Sequence, residues 1–388
     1  MTRSGLSLQQ IQRFRVVRHH LDHRFDSADA KALATAAWVG VQNTPPGMDT
    51  VALGQRIDGL TAHDVSRAVT TDKSLVTVWS LRSAAYTIAR TDLHVFTRGA
   101  LPDDEDSLRA CLQGFTAFLD EIGMSASDAV RVATTAVRKV LDGRVLTKRE
   151  LGAALALEVP KPLRPYCEPS EFSRFGAMLV RPVALAGLMC FAPRSGSEAS
   201  FLLTEQWLDE QPAFPEREVS RAELVRRYLS AYGPSTAADF ASWVTISKAD
   251  ARRTWKDLEH ELVTVDTPTG PAQLLAADLD AALDAPRARG LRFLPPSDPL
   301  LGLRDRKSLV ADAALHKRVW KSVHSPGVVL LDGSAVATWK QRAAGKQLAV
   351  TLEALTELTT TQRGRIDREA AADLTRFWPA GEVTTTWQ

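Results

Sequence analysis

The chain has 388 residues, of which 45% are hydrophobic and 24% charged, and its formal net charge is +2. This length is enough for two to four domains, and the composition excludes a disordered or fibrous protein. Because the total charge is close to zero, it does not by itself indicate a nucleic-acid partner.

The first hundred residues are predicted to form helices followed by a short β-hairpin. Ser7 and Gln10 have the spacing of a helix capping box, and apolar residues then recur every three or four positions as far as Leu21. Helices followed by a hairpin are typical of a winged-helix module. The remaining predicted helices of this region are 27–38, 49–58 and 61–69, and its predicted strands are 75–81 and 86–88.

The same order of elements returns in the second hundred residues. Thr147 and Glu150 have capping-box spacing and begin a helix that is predicted to end at Glu158. Two strands are predicted after it, at 183–191 and 199–203, with a turn at 193–197 between them.

A third and clearer copy follows the proline-bounded linker 212–215. Ser220 and Glu223 predict the start of a helix that continues to Tyr232, and the segment 233–236 predicts a tight turn. Two helices and two strands are predicted after this turn, at 237–243, 247–260, 262–265 and 273–275, with a turn at 267–270 between the strands.

The last hundred residues are predicted to be mostly β-structure. Asp332-Gly333, between two apolar runs, is a strong signal for a hairpin. A small barrel is the expected arrangement, followed by a helix over 362–377. The predicted strands are 291–294, 328–331, 335–340 and 347–352.

Positive charge is concentrated near the C-terminus. Residues 281–350 contain twelve lysines and arginines and five acidic residues, which gives this segment a net charge of +7. An acidic run at 103–106 offsets this charge elsewhere in the chain. A basic face on a near-neutral protein suits a DNA groove, although a solvated surface would have the same composition.

Common catalytic and targeting motifs are absent from the sequence. It has no phosphate-binding glycine loop, no GxSxG motif and no HExxH motif. His19 and His23 are one helical turn apart, which leaves open a zinc site or, more in keeping with neighbouring arginines, a polar helix face. Three widely spaced cysteines favour a reducing cytoplasm, and neither a signal peptide nor a membrane span is expected. No cofactor is predicted.

The segment 40–47 (Gly-Val-Gln-Asn-Thr-Pro-Pro-Gly) is the strongest candidate for a catalytic loop. Thr44 precedes a proline and is therefore pushed towards an extended backbone. In an extended segment Gln42 and Thr44 lie on one side and Asn43 on the other. The alternative is an ordinary loop after a helix, in which the amides bond to backbone groups.

Seven segments, in the same order along the chain, resemble the AlkZ-type (AlkZ/YcaQ-like) winged-helix DNA glycosylases. The resemblance covers nearly the whole chain. It implies an α+β fold of three tandem winged-helix units in a C shape with a C-terminal small β-barrel domain. The segments are 40–47, 79–86, 187–191, 231–240, 294–299, 325–333 and 338–342.

The resemblance also implies domain boundaries. Winged helix 1, with the catalytic-motif loop, is expected at 1–100, and winged helix 2 at 101–215. Winged helix 3 is expected at 216–289, and the C-terminal β-barrel domain at 290–388.

A monofunctional DNA glycosylase that removes N7-alkylguanine is the activity that the resemblance implies. The family's catalytic motif is Gln, an apolar residue, then Gln or Asp; here the three positions hold Gln42, Asn43 and Thr44. Tyr86 stands where histidine is expected in close relatives. Bulky natural-product adducts are the expected substrates, in DNA repair or antibiotic self-resistance.

Double-stranded DNA carrying alkylated guanine is therefore the predicted partner of a cytoplasmic, nucleoid-associated monomer. A non-catalytic DNA-binding protein on the same scaffold, either a regulator or a lesion binder, is the alternative. The hairpin turn at 342–346 is predicted to contact the duplex. The predicted DNA-binding residues are Arg82, Arg304, Arg306, Lys340, Arg342 and Lys346.

Overall fold

The computed structural model describes residues 5–168, 171–172, 177–193, 198–210, 212–378 and 382–388. The fold is mixed, with helices and strands in both of the compact units into which the chain divides. Unit 1 comprises Met1–Ala68, Arg227–Ser235 and Glu261–Gln388, and unit 2 comprises Val69–Arg226 and Thr236–His260.

Most helices of the described chain are short, and many begin at a side-chain cap. Ser7, Thr147 and Thr359 each form a complete capping box with the residue three positions later, which confirms the first two predicted boxes. The helices are α1 (Leu8–Arg18), α2 (Ala30–Ala36), α3 (Met48–Gly54), α4 (Ala62–Thr70), α5 (Leu93–Phe96), α6 (Glu105–Cys111), α7 (Thr116–Glu121), α8 (Ala126–Leu141), α9 (Lys148–Glu158), α10 (Ala177–Leu185), α11 (Thr204–Leu208), α12 (Arg217–Tyr232), α13 (Ala237–Val244), α14 (Lys248–Asp257), α15 (Leu279–Leu283), α16 (His316–Val319) and α17 (Thr360–Leu374).

The strands form separate small sheets. The longest sheet has five strands in the order β13-β12-β11-β10-β9, with β12 and β13 parallel and the other neighbours antiparallel. The strands are β1 (Val41–Gln42), β2 (Leu75–Trp79), β3 (Ala85–Ala89), β4 (Leu146–Thr147), β5 (Met189–Phe191), β6 (Ser200–Leu203), β7 (Leu262–Thr267), β8 (Gly270–Leu275), β9 (Leu291–Leu294), β10 (Gly327–Leu331), β11 (Ser334–Ala344), β12 (Gln347–Ala354) and β13 (Glu382–Trp387).

The predicted hairpins are confirmed. β2 pairs with β3, β7 with β8, and β10 with β11, each antiparallel. Asp332 and Gly333 both have a positive φ, at 50° and 81°, which is the backbone that a two-residue hairpin turn requires.

Three predictions of secondary structure are wrong. The first helix ends at Arg18 rather than near Leu21, because His19 is its C-cap and His20 turns the chain with φ at 53°. Ser220 does not cap a helix; it lies inside α12 and its N–H bonds to the carbonyl of Glu216.

The third error concerns the predicted strand 183–191. Residues 183–185 belong to α10, and only Met189–Phe191 is a strand. A continuous apolar run has neither the helical nor the strand period, so the pattern did not separate the two. The predicted turn at 193–197 lies outside the described residues, except for Pro193.

Two of the apolar cores formed by the described residues lie in unit 1. One face of the five-stranded sheet packs against α17 and α3, with Phe293, Trp339 and Ile366 at its centre and Met48 and Val51 contributed by α3. The other core joins α1 to the β7–β8 hairpin and α15. Each fully buried large apolar side chain stabilises such a core by about 1.5–3 kcal/mol.

Close packing also determines where α3 lies. A Cβ atom at Gly54 would overlap the ring of Phe377, the third residue after α17. Only glycine therefore allows the last turn of α3 to approach this segment so closely. The loop 43–47, which leads directly into α3, is thus attached to a helix held against the core of unit 1.

The described residues of unit 2 form a large apolar core of their own. It is built from α8, α9 and α10 together with β5 and β6, and the ring of Trp79 stacks on Phe201 with centroids 4.7 Å apart. Within the described ranges, no helix is both long enough and apolar enough to cross a membrane.

Candidate active site and DNA interface

The predicted catalytic loop is closed by one of its own side chains. Oδ1 of Asn43 accepts a hydrogen bond from the backbone N–H of Gly47 at 2.7 Å. Gly47 has φ at 89° and is the N-cap residue of α3, a conformation that favours glycine. The sequence analysis gave, as the alternative to a catalytic loop, an ordinary loop whose amides bond to backbone groups. Asn43 forms a bond of that kind.

Gln42 and Thr44 flank this asparagine in different environments. Gln42 is half-buried at the end of β1, and Thr44 is exposed. The hydroxyl of Ser297 donates to the backbone carbonyl of Gln42 at 3.4 Å, a long bond that links the loop to the segment after β9. The backbone of Gln42 is thus tied to a second part of unit 1.

The buried side chain of Gln55, directly after α3, connects this helix to the sheet and to α17. Nε2 of Gln55 donates to the carboxylate of Asp373 at 2.7 Å, and its Oε1 accepts the N–H of Phe293 at 2.8 Å. Gln55 has no exposed surface, so both of these bonds are shielded from water. They hold the end of α3 in one position.

Arg56 adds a second, charged connection. Its guanidinium donates to both carboxylate oxygens of Asp298, at 2.8 and 3.0 Å, and to the carbonyls of His19 and Ala52. Asp298 directly follows Ser297, the residue that bonds to Gln42. The ion pair therefore positions the segment that contacts the predicted catalytic loop.

His19 lies beside Arg56 and is neutral at physiological pH. Burial, and secondly the charge of Arg56, lowers the pKa of His19 to about 3, while its Nδ1 lies 2.8 Å from the carbonyl oxygen of Arg15. The same two causes lower the pKa of His20 to about 4.

The zinc hypothesis for these histidines has no geometric support. α1 ends before His19, and His23 is exposed and pairs with Asp22 at 3.0 Å. Nor do the described residues contain a group of three or more His, Cys, Asp or Glu side chains arranged to hold a metal ion.

The β11–β12 hairpin carries three of the predicted DNA-binding residues. Lys340 and Arg342 alternate along β11 and are both exposed, opposite Thr351 and Ala349 of β12. Lys346 is exposed in the turn between the strands. The three cations therefore lie on the outer part of one hairpin.

Two other predicted residues lie in the irregular segment before β10. Arg304 is exposed, and the guanidinium of Arg306 lies 5.0 Å from the ring centroid of Trp320. A cation over an indole face is stabilised by the ring quadrupole and remains able to bind an anion on its other side.

Arg82 lies in unit 2 and has a protein partner. Its Nη2 donates to the phenol of Tyr86 at 2.7 Å, and Tyr86 is only 4% exposed. The sequence analysis singled out Arg82 as a DNA-binding residue and Tyr86 as a departure from the family pattern, but it did not predict the bond between them. The phenol orients the guanidinium that was predicted to contact phosphate.

Sequence reasoning missed the buried network of Gln55, Arg56, Asp298 and Asp373. The one available signal was the pair of polar residues that directly follows the apolar segment of α3. Their partners are 242 and 318 positions away, so no local pattern connects them.

Unit 1 therefore carries the amide of Gln42 and the hydroxyl of Thr44 on a loop that is bonded to the rest of the unit. Fixed dipoles of this kind stabilise developing charge or orient water without a tuned pKa. Exposed cations lie separately on the β11–β12 hairpin.

Three comparisons with known proteins agree. The model of the family "DNA glycosylase AlkZ-like" matches residues 35–377. An "Interstrand DNA cross-link repair glycosylase" of Streptomyces sahachiroi is 26% identical over 346 residues, or 86% of this chain and 88% of that protein. The solved structure of Streptomyces sahachiroi DNA glycosylase AlkZ matches with a TM-score of 0.78 at 22% identity, covering 99% of this chain and 100% of that one. With a family model matching most of its length, this chain belongs to the AlkZ-like DNA glycosylase family.

Proposed function

We propose that this protein is a monofunctional DNA glycosylase that hydrolyses the N-glycosidic bond of N7-alkylguanine, with bulky natural-product adducts as its main substrates. Membership of the AlkZ-like family and the similarity to a cross-link repair glycosylase support this activity. The observation that carries it is the position of Gln42, on an extended strand end whose backbone is bonded to Ser297.

The proposed reaction needs little acid–base help. Alkylation at N7 places a positive charge on guanine, so the base leaves as a neutral molecule when the C1′–N9 electron pair moves onto it. Water adds to C1′, loses a proton and leaves an abasic site. The chain has only to stabilise the cationic sugar and to position the water.

We assign this task to Gln42, assisted by Thr44. The carbonyl dipole of the Gln42 amide suits a cationic sugar or a water molecule, and the exposed hydroxyl of Thr44 is able to hold the water. Asn43 supports the loop instead, because its Oδ1 already accepts the N–H of Gly47. Asn43 is therefore a positioning residue in this proposal.

DNA contacts are assigned to the exposed cations of the β11–β12 hairpin and to Arg304 and Arg306. The helices and antiparallel hairpins of the chain support a duplex partner, since helix–hairpin modules commonly bind double-stranded DNA. We propose three such modules followed by the barrel-like C-terminal domain, acting as a monomer in repair or self-resistance.

A direct test is single-turnover excision from a duplex that carries one N7-methylguanine, one bulky N7-alkylguanine or one interstrand cross-link. With either single adduct the expected products are the free modified base and an abasic site. With the cross-link they are an abasic site in one strand and the linked base still attached to the other strand. In each case no strand is cleaved until alkali is added. Strand cleavage by the enzyme itself would contradict the monofunctional assignment.

A non-catalytic DNA-binding protein is the second candidate, and the bond between Asn43 and Gly47 is the observation that favours it. In this candidate the amide of Asn43 serves the backbone of its own loop, a role that needs no substrate. Tight binding of every adduct without release of any base would establish this alternative.

A further inference from the structure

A cleft of about 840 Å³ lies in unit 1 beside the turn between β10 and β11. Its walls come from α1, the segment before β9, the β10–β11 turn and α17. The acidic residue that lines it is Asp332, and the basic residues are Arg13, Arg287, Arg289 and Arg365.

The charge of this cleft is largely uncompensated. Three of its four arginines form no ion pair within the described parts of the chain: Arg13, Arg287 and Arg289. Arg287 and Arg289 are exposed. Asp332 uses one carboxylate oxygen to accept the N–H of Gly290 at 2.8 Å. Arg365 pairs with Glu369 at 2.7 Å, a contact exposed to solvent on both sides. Like charges concentrated in a concave site attract an anion.

The side chains around the cleft indicate which part of a polyanion would bind. Guanidinium groups match the oxygens of a phosphate with two parallel hydrogen bonds. The described lining includes no aromatic side chain on which a base could stack. Phosphates, rather than bases, are therefore the groups that this cleft suits.

The cleft is separate from the hairpin cations described above. Ser334 lines the cleft at the first residue of β11, whereas Lys346 lies beyond its last residue. β11 has 11 residues, which span roughly 35 Å at about 3.4 Å per residue. This separation is close to one turn of B-form DNA, about 34 Å.

We propose that the cleft binds the phosphodiester backbone of DNA about one helical turn away from the phosphate that contacts Lys346 at the hairpin turn. The inference rests on the proposed function only in taking DNA as the partner. It gives the protein a second anchoring point that is independent of the DNA sequence and of the lesion.

The test compares the double variant Arg287→Gln/Arg289→Gln with the wild type on undamaged duplexes. On a duplex of about 30 base pairs the affinity should fall about tenfold, and the slope of log K against log salt should decrease by about two. A duplex of about 8 base pairs is about 27 Å long and does not reach from the cleft to Lys346, so on this duplex the double variant should lose less affinity than on the long one.

A matched control is Arg131→Gln/Arg144→Gln, which removes the same charge from exposed positions of unit 2. An equal loss in the control, or an equal loss on both duplex lengths, would overturn the proposal. It is also wrong if inorganic pyrophosphate binds the wild type but not the cleft variant while both bind the long duplex equally. Because undamaged DNA is used, the result does not depend on glycosylase activity.

Discussion

Arg56 and Asp298 form a doubly hydrogen-bonded ion pair whose side chains are 1% and 0% exposed. The pair joins the end of α3 to the residue after Ser297, and so lies between the core of unit 1 and the backbone of Gln42. The geometry of the proposed active site therefore depends on a contact that does not itself belong to it.

Replacement of one member of this pair should be strongly destabilising. Asp298→Ala leaves the Arg56 charge buried without its carboxylate, which typically costs about 3–5 kcal/mol. Denaturant unfolding checks this value, with Asp284→Ala as a control at an exposed acid of the same unit. The apolar double variant Arg56→Met/Asp298→Leu should recover part of the loss. If Asp298→Ala unfolds like the control, the pair does not hold the segment.

Gln42→Ala should slow excision on the order of 10²-fold, because one preorganised dipole is lost where positive charge develops. DNA affinity should stay nearly unchanged, since contacts made in the transition state need not hold the ground state. Single-turnover excision and equilibrium binding on the same adducted duplex provide the two measurements. Thr44→Ala serves as the comparison and should cost less. Wild-type excision by the Gln42→Ala protein would remove this residue from the mechanism.

Arg342→Ala should weaken binding to all DNA sequences alike. An exposed guanidinium on the β11–β12 hairpin that contacts one phosphate contributes about 0.9 to the slope of log K against log salt, and this contribution should disappear. Titrations of two unrelated duplexes at several salt concentrations measure it, with Arg144→Ala as the control. A loss confined to one duplex would show that Arg342 contacts a base.

Acid should destabilise unit 1 through His20 as well as His19. Their pKa values are lowered from 6.5 to about 4 and about 3, so the folded state keeps both neutral while the unfolded chain takes up protons below about pH 6.5. This contribution to stability is present above about pH 6.5 and is lost as the pH falls towards the folded values. Each histidine contributes at most about 1.4 kcal/mol per pH unit.

The variant His20→Asn tests this pH dependence, because asparagine tolerates the positive φ at this position. Between about pH 4.5 and 6 its free energy of unfolding should fall less steeply with acid than that of the wild type. Gln9→Asn, at an exposed residue of the same unit that carries no titratable group, should keep the wild-type slope. Equal slopes in all three proteins would mean that His20 is protonated in the folded state.

Elements that depend on neighbouring residues were predictable from the sequence. The capping boxes at Ser7 and Thr147 and the Asp332-Gly333 hairpin turn were all confirmed. Each involves hydrogen bonds or backbone angles within four residues, so the local sequence contains the whole cause. The interpretation of residues 42–44 as a catalytic motif came from the resemblance to a family and stays a prediction.

Where the structure depends on packing between distant residues, the local sequence pattern gave a wrong prediction or none. Ser220 has a good capping pattern, yet α12 extends through it, and β13 was not predicted because its pairing is parallel with β12. The bond between Arg82 and Tyr86 was missed although the residues are close in sequence, since it depends on the positive φ of Arg82.

The sequence alone determined the capping boxes at Ser7 and Thr147 and the hairpin turn at Asp332-Gly333, because these follow from the residues' own spacing and backbone preferences. Only the tertiary structure decided that Gln55 and Arg56 reach Asp373 and Asp298, and that several arginines share one cleft. The physical reason is distance along the chain: a buried polar group is stable only with its partner, and here folding brings that partner from more than two hundred residues away.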